Sequence, residues 1–246
     1  MLLVQLTDIH LMASPEQTLR GVNTQETLEK VLQAIANSDQ KPDLFLLTGD
    51  LADAGDGEAY QRLRSAITPM GIPTYALMGN HDLRDHLCQH LINDLIHYQQ
   101  QIILDNWQIL CLDSTVAGQI GGHLSQETLN WLEQTLNTSQ LPTLIALHHP
   151  PVLLESAWID SMGLANREDF WAVCQRFPHV KVVLCGHAHQ RADLRQGEID
   201  CFVTPSTCMQ FLPKSAEFAI DSDGRPAWRW LELKNDGSYA TGVGFC

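Results

Sequence analysis

The sequence predicts an α/β fold on three observations. Five short aliphatic runs, each bounded by turn formers, read as buried strands. Helix-period segments lie between several of them, and the chain turns sheet-rich from about residue 198.

The elements follow in order. "LLVQL" (2–6) is the first strand. Residues 24–36 place Leu28, Val31, Leu32 and Ile35 on one helical face, and Asn23 with Glu26 three residues on suggests a capping-box variant. "DLFLL" (43–47) is the second strand, and residues 57–68 group Tyr60, Leu63 and Ile67 on a second helix. "PTYALM" (73–78) is the third strand. "QIILDNWQILCLD" (101–113) reads as a hairpin turning at Asp105-Asn106. A helix over 125–137, capped by Ser125, carries Leu129, Leu132 and Leu136. "TLIAL" (143–147) and "VKVVL" (180–184) are further strands, with a shorter helix candidate at 167–177 between them. After 198, "EIDCFVT", "AEFAID", "AWRWLEL" and "SYATGVGF" read as strands with mostly antiparallel pairing and turns at "SDGR" and "NDGS".

The 246 residues form one domain, 1–246, with no repeat and no low-complexity linker. A formal charge of −14 argues against broad binding to nucleic acid or anionic lipid, so neither is expected as a partner. It leaves room for a small anion if some local positive centre exists. Seven cysteines without C-x-x-C spacing, several inside apolar runs, read as reduced, mostly buried thiols of a cytoplasmic protein. No secretory signal and no membrane-length apolar run is visible.

Each of the five runs ends in polar chemistry: "TDIH", "TGD", "GNHD", "HH" and "GHAH". In open α/β sheets functional groups gather beyond the carboxyl ends of the strands, so these clusters are expected in one crevice. They comprise Asp8, His10, Asp50, Asn80, His81, Asp82, His148, His149, His187 and His189. Carboxylates, imidazoles and one amide, without thiolate, suit manganese, iron or zinc rather than an all-oxygen calcium site. The D-x-H and H-x-H spacings let both side chains of a pair address one centre. The donors exceed what one ion takes, which points to two ions sharing a carboxylate. A single histidine or aspartate at a strand end is ordinarily a capping or surface residue. Five successive strand ends of this kind form a pattern that capping does not explain.

"DIH", "GDLAD", "GNHD", "HHP" and "GHAH", in this order, resemble the calcineurin-like metallophosphoesterase signature, over roughly residues 4 to 210. "GVNT" (21–24), "FPHVKVVLCGHAHQ" (177–190) and "TPSTCMQF" (204–211) resemble the bacterial class III cyclic-nucleotide phosphodiesterases. The resemblance implies a four-layer αββα sandwich of two mixed sheets flanked by helices. It implies Asp8, His10, Asp50 and His189 on one ion, and Asp50, Asn80, His148 and His187 on a second, with Asp50 bridging. His81 would be the non-ligand catalytic histidine, its ring oriented by Asp82. Substrate would meet His10, Asp50, Asn80, His81, His149 and His189. The implied reaction is hydrolysis of 3′,5′-cyclic AMP to 5′-AMP by water activated between two ions, iron or manganese with zinc as the alternative. Other small phosphodiesters (2′,3′-cyclic nucleotides, glycerophosphodiesters) or a silent scaffold are the competing readings. Oligomeric state is open between monomer and homodimer.

His149 stands between a supporting and a substrate-facing role, and Asp53 between a site acid and a helix-start or loop residue. His86, His90 and His97 share a helical spacing with no matching ligands nearby. "WRWLEL" (228–233) reads as core or interface.

Overall fold

The computed structural model describes residues 1–39, 41–104 and 106–246. The first half runs β1 (Leu2–Leu6), β2 (Thr18–Leu19), β3 (Val22–Asn23), α1 (Thr24–Ala36), β4 (Leu44–Thr48), α2 (Gly57–Ile67), β5 (Thr74–Leu77), α3 (Arg84–His90), β6 (Ile96–His97) and β7 (Gln101–Ile103). The second half runs β8 (Gln108–Leu112), α4 (Gln126–Thr138), β9 (Thr143–Leu147), α5 (Ala157–Asp160), α6 (Arg167–Cys174), β10 (Val180–Cys185), β11 (Ala192–Gln196), β12 (Ile199–Val203), β13 (Ala227–Leu233) and β14 (Tyr239–Phe245).

Two six-stranded mixed sheets carry the molecule, in the orders β14-β13-β1-β4-β5-β6 and β11-β12-β10-β9-β8-β7. Side chains alternate between faces along a strand, and the burial follows that period. Phe45 and Leu47 of β4 pack with Leu28, Val31 and Tyr60 of the helices, while Leu44 and Leu46 pack with the opposite sheet. Val183 and Cys185 of β10 join Leu132 and Phe170 on the helical side, while Val182 and Leu184 meet Leu44 and Leu46 between the sheets. Three apolar layers therefore separate four structural layers, αββα.

The helix starts are chemically specified. The side chains of Asn23, Asp56 and Ser125 accept backbone N–H groups of Glu26, of Glu58 and Ala59, and of Thr128. β1, β4 and β5 pair in parallel, as do β8, β9, β10 and β12. The carboxyl ends of the five expected strands thus collect along one edge of the sandwich.

Three expectations are corrected. "AEFAID" forms only an isolated bridge, Phe211 to Ile220; Phe218 and Ile220 are exposed, so the alternating pattern had no sheet face to bury. The helix candidate at 167–177 ends at Cys174. His86 and His90 lie on α3, whereas His97 lies on β6. The hairpin of β7 and β8 forms as expected, while its turn residue Asp105 lies outside the described residues.

Arg229 of β13 is fully buried and crosses between the sheets. Its guanidinium donates to Thr204 (3.1 Å), to Thr241 (3.3 Å) and to the Asp193 carboxylate of β11. Thr204 donates to Gln5 (2.6 Å), which donates to Thr48 (2.8 Å), so a polar strut runs beneath the edge just described. Arg229→Ala strands these acceptors, and we expect it to cost about 3 kcal/mol of stability, read as a lower denaturant midpoint with an unchanged slope.

Candidate metal centre

The backbone of this edge is unusual where the predicted side chains leave it. Asp8, His10, Asp50, His187 and His189 all have left-handed φ, between 47° and 66°. Non-glycine residues adopt that region at a cost and persist there when surrounding contacts hold them. The contacts are explicit. Asp8 N–H donates to the Gly49 carbonyl (3.0 Å) and His10 N–H to the Asp50 carbonyl (2.9 Å). His187 N–H donates to both oxygens of Asp8, at 3.0 and 2.9 Å, and His81 N–H donates to Asp50 Oδ1 at 2.8 Å.

The side chains converge on a buried cavity edge. His10 Nε2 lies 3.1 Å from His189 Nε2 and 3.7 Å from Asp50 Oδ2. His189 Nε2 is 3.5 Å from Asp8 Oδ1. On the far side, His148 Nε2 is 3.2 Å from Asp50 Oδ2 and 4.0 Å from Asp8 Oδ1. Ligand atoms of Asp8, His10 and His189 fall within 4.8 Å of one another, as do those of Asp8, Asp50 and His148. Asp50 therefore faces both groups. Two rings are held from behind: His148 Nδ1 donates to the Thr48 carbonyl and His189 Nδ1 to the Met209 carbonyl, both at 2.8 Å. A carbonyl only accepts, so each Nδ1 carries a proton and each Nε2 is turned toward the centre as the atom that would bind a metal.

The donor set fits a pair of metal ions. Asn80 Oδ1, His148 Nε2 and His187 Nε2 are buried with no hydrogen-bond partner. Buried polar atoms left this way are costly, and three at adjoining strand ends mark a place for a ligand. The 3.2 Å approach of His148 Nε2 to Asp50 is a contact without hydrogen-bond geometry. Charge follows the same logic. Burial opposes ionisation of Asp8, but His189 and His148 outweigh it and hold the carboxyl at about 2. Burial likewise opposes Asp50, and His148 and His10 hold it well below the carboxylate range. Burial would lower His148, yet Asp50 and Asp8 raise it to about 9. His187 is pushed well down by burial and by its neighbours His149 and His148, which keeps it neutral.

Two expected roles change. Asp82 does not orient His81: its carboxylate accepts from the backbone N–H groups of Leu51, Ala52 and Gly79 and from the Tyr60 hydroxyl (2.7 Å). It ties the "GDLA" and "GNHD" turns together. The ring of His81 is held by Asp53 instead, its Nδ1–H donating to the Asp53 carbonyl at 2.6 Å with the Asp53 carboxylate 3.4 Å away. The same carboxylate lies 3.3 Å from His10 Nδ1, so Asp53 stands against both rings. His149 is not substrate-facing either. It comes within 4.8 Å of His148 and His187, but Nε2–H donates to the Ile120 carbonyl (2.9 Å) and Nδ1 accepts from Ser114 Oγ (2.8 Å). With both nitrogens engaged, and burial and His148 lowering it to about 3, it is a neutral wall against the cage.

The sequence model for calcineurin-like phosphoesterases matches residues 1–191. The chain belongs to that family. This phosphoesterase is 39% identical over 242 residues to a 3′,5′-cyclic-nucleotide phosphodiesterase of Nostoc sp., covering 98% of this chain and 91% of the relative. It is 40% identical over 243 residues to the 3′,5′-cyclic adenosine monophosphate phosphodiesterase of Escherichia coli, covering 98% and 88%. Its fold is that of a dimetal phosphatase from Danio rerio (TM-score 0.64, 13% identity, 94% of each chain). A yellow lupin purple acid phosphatase shares it too (TM-score 0.68, 14% identity, 99% of this chain and 51% of that one).

Sequence reasoning missed Tyr60, Ser114 and the carbonyls of Thr48, Ile120 and Met209. A carbonyl leaves no trace in residue identity. Ser114 did leave one, since it follows β8, a sixth strand ending in polar residues at the same edge. In the phosphoesterase Tyr60→Phe removes a hydrogen bond to a buried carboxylate, and a loss of about 2 kcal/mol is expected, measured by thermal or denaturant unfolding. An unchanged midpoint would remove Tyr60 from the account.

Proposed function

We propose that this phosphoesterase hydrolyses 3′,5′-cyclic AMP to 5′-AMP at a dinuclear metal centre. One observation carries the metal reading: buried, unpartnered donor atoms on Asn80, His148 and His187 stand at the strand ends that present Asp50, with His148 Nε2 3.2 Å from its carboxylate. The substrate follows from relatives named for cyclic nucleotides that align over nearly the whole chain.

Asp8, His10, Asp50 and His189 would hold one ion, and Asp50, Asn80, His148 and His187 the other. Iron or manganese suits these donors, with zinc as the alternative. Bound ions supply an acidified water and a local positive field for phosphate oxygens. The protein's own residues do the rest. Asp8 and Asp50 stay ionised in a buried setting because imidazoles and backbone N–H groups face them. His81, half exposed and pinned through Nδ1 to Asp53, keeps Nε2 as its one remaining nitrogen. Protonated there, it donates to the ribose 3′-oxygen as the P–O3′ bond breaks. We read the chain as a single domain, 1–246, working in the cytoplasm on a small molecule rather than on nucleic acid or membrane, as monomer or homodimer. Among the described residues no helix is long and apolar enough to cross a membrane.

The direct test is turnover of a substrate panel with Mn²⁺ or Fe²⁺. The reading expects 3′,5′-cyclic AMP to exceed 2′,3′-cyclic AMP, glycerophosphodiesters and bis-p-nitrophenyl phosphate in kcat/KM; parity with the last sinks it. His81→Ala should lower kcat by about 10²–10⁴ with both metals retained, and loss of metal instead would make His81 a ligand.

Metal loading is also expected to release protons. In the metal-free protein His148 sits raised at about 9, so at pH 7.5 it is protonated, and an ion must displace that proton. Apparent affinity should therefore rise with pH up to about 9. Calorimetric heats that do not depend on the buffer's ionisation enthalpy would contradict this.

A further inference from the structure

Eight non-glycine residues among those described have left-handed φ. Five are in the metal centre, and the other three are Arg20, Glu155 and Lys214. These three lie on separate loops that meet beside it. The Arg20 guanidinium sits over the Phe218 ring at 4.8 Å. Glu155 pairs with Lys214 at 2.7 Å. Trp158, which follows Glu155, meets Phe211 at 5.1 Å and Phe218 at 5.2 Å, and Phe211 meets Phe218 at 5.3 Å. Phe211 in turn stacks flat on His189, with centroids 4.1 Å apart and 10° between planes. An aromatic wall thus begins on a cage histidine and runs outward to Phe218.

Two features set this wall apart from ordinary core. Phe218 is 43% exposed and Leu212 44%, so apolar surface is offered to solvent beside a polar site. Trp158 Nε1–H is buried with no acceptor, although an indole N–H ordinarily finds one.

We propose that Phe218, Trp158 and Arg20 form the subsite for the purine ring of the nucleotide, a specificity-determining surface separate from the phosphate-binding cage. This rests on the nucleotide reading above. With phosphate at the cage, the ribose carries the base outward along the Phe211 side. A purine is flat, apolar on its faces and rich in ring-nitrogen acceptors. Phe218 and Trp158 offer it stacking surface, and Arg20, over the Phe218 ring, adds a cation to an otherwise acidic molecule. A dinuclear cage alone does not distinguish one phosphate ester from another, and the wall gives it a means to do so.

The test uses competitive inhibition of bis-p-nitrophenyl phosphate hydrolysis by 5′-AMP and by ribose 5-phosphate, which shares the phosphate and sugar but lacks the base. Wild type should bind 5′-AMP the more tightly. Phe218→Ala and Phe218→Leu should reduce the ratio of the two inhibition constants about tenfold or more, and Phe218→Tyr should restore it. Damage to the metal cage affects both inhibitors and cancels in the ratio, so a structural lesion cannot imitate the result. Equal inhibition constants in wild type, or a ratio unmoved in both Phe218→Ala and Phe218→Leu, overturns the proposal. If the ratio falls as expected but wild type fails to hydrolyse 3′,5′-cyclic AMP, the wall stands and the catalytic reading is what fails.

Discussion

Two carboxylates taken wholly out of water set the terms for this edge of the molecule. Asp8 is 0% exposed and Asp50 2%, and a buried charge is tolerated only where opposite charge and hydrogen bonds surround it. The surroundings supply both. Backbone N–H groups of His187 and His81 point at the oxygens, and the imidazoles of His189, His10 and His148 stand within 4 Å of them. The chain must enter the left-handed region repeatedly to aim those groups, and the adjoining glycines are what allow it so close. A Cβ on Gly79 would lie 2.2 Å from Asp50 Oδ1, and one on Gly186 would lie 2.0 Å from Thr7 Oγ1.

The same requirement explains how an acidic protein can serve an anionic substrate. With a formal charge of −14 it has no basic surface to offer. Carboxylates and imidazoles are instead gathered where two bound metal ions would supply the positive charge. Buried carbonyls behind His148 and His189 hold each Nδ1–H, so each Nε2 is already aimed at the centre, and on His148 a bound ion would displace the proton there. The supporting layer of Asp53, Asp82, His149, Ser114 and Tyr60 holds the cage from outside.

Much of this was legible in the residues. β1, β4, β5, β9 and β10 announced themselves as short aliphatic runs, and the polar group at each carboxyl end told where they would meet. What could not be read was direction. Asp82 adjoins His81 in sequence, yet a turn sends its carboxylate back to Leu51, Ala52 and Gly79, while Asp53, 28 residues away, reaches the ring. His148 and His149 are likewise adjacent, with ring centroids 4.9 Å apart, yet His148 Nε2 faces Asp50 while both His149 nitrogens are taken by Ser114 and the Ile120 carbonyl. The short elements α3 and β6 lack the length to show a period, and β11, "ADLRQ", is polar and mostly exposed, so it carries no apolar run. "AEFAID" shows the reverse error, a strand-like alternation whose apolar residues serve a loop beside the site.

The central claim is that Asp50 lies between two metal ions held by these side chains. Anomalous scattering from a crystal of the protein grown with Mn²⁺ tests it most directly. The account predicts two peaks flanking the Asp50 carboxylate, one against Asp8, His10 and His189 and one against Asn80, His148 and His187. A single peak away from Asp50, or no peak in protein that still cleaves phosphodiesters after complete chelation, would contradict it.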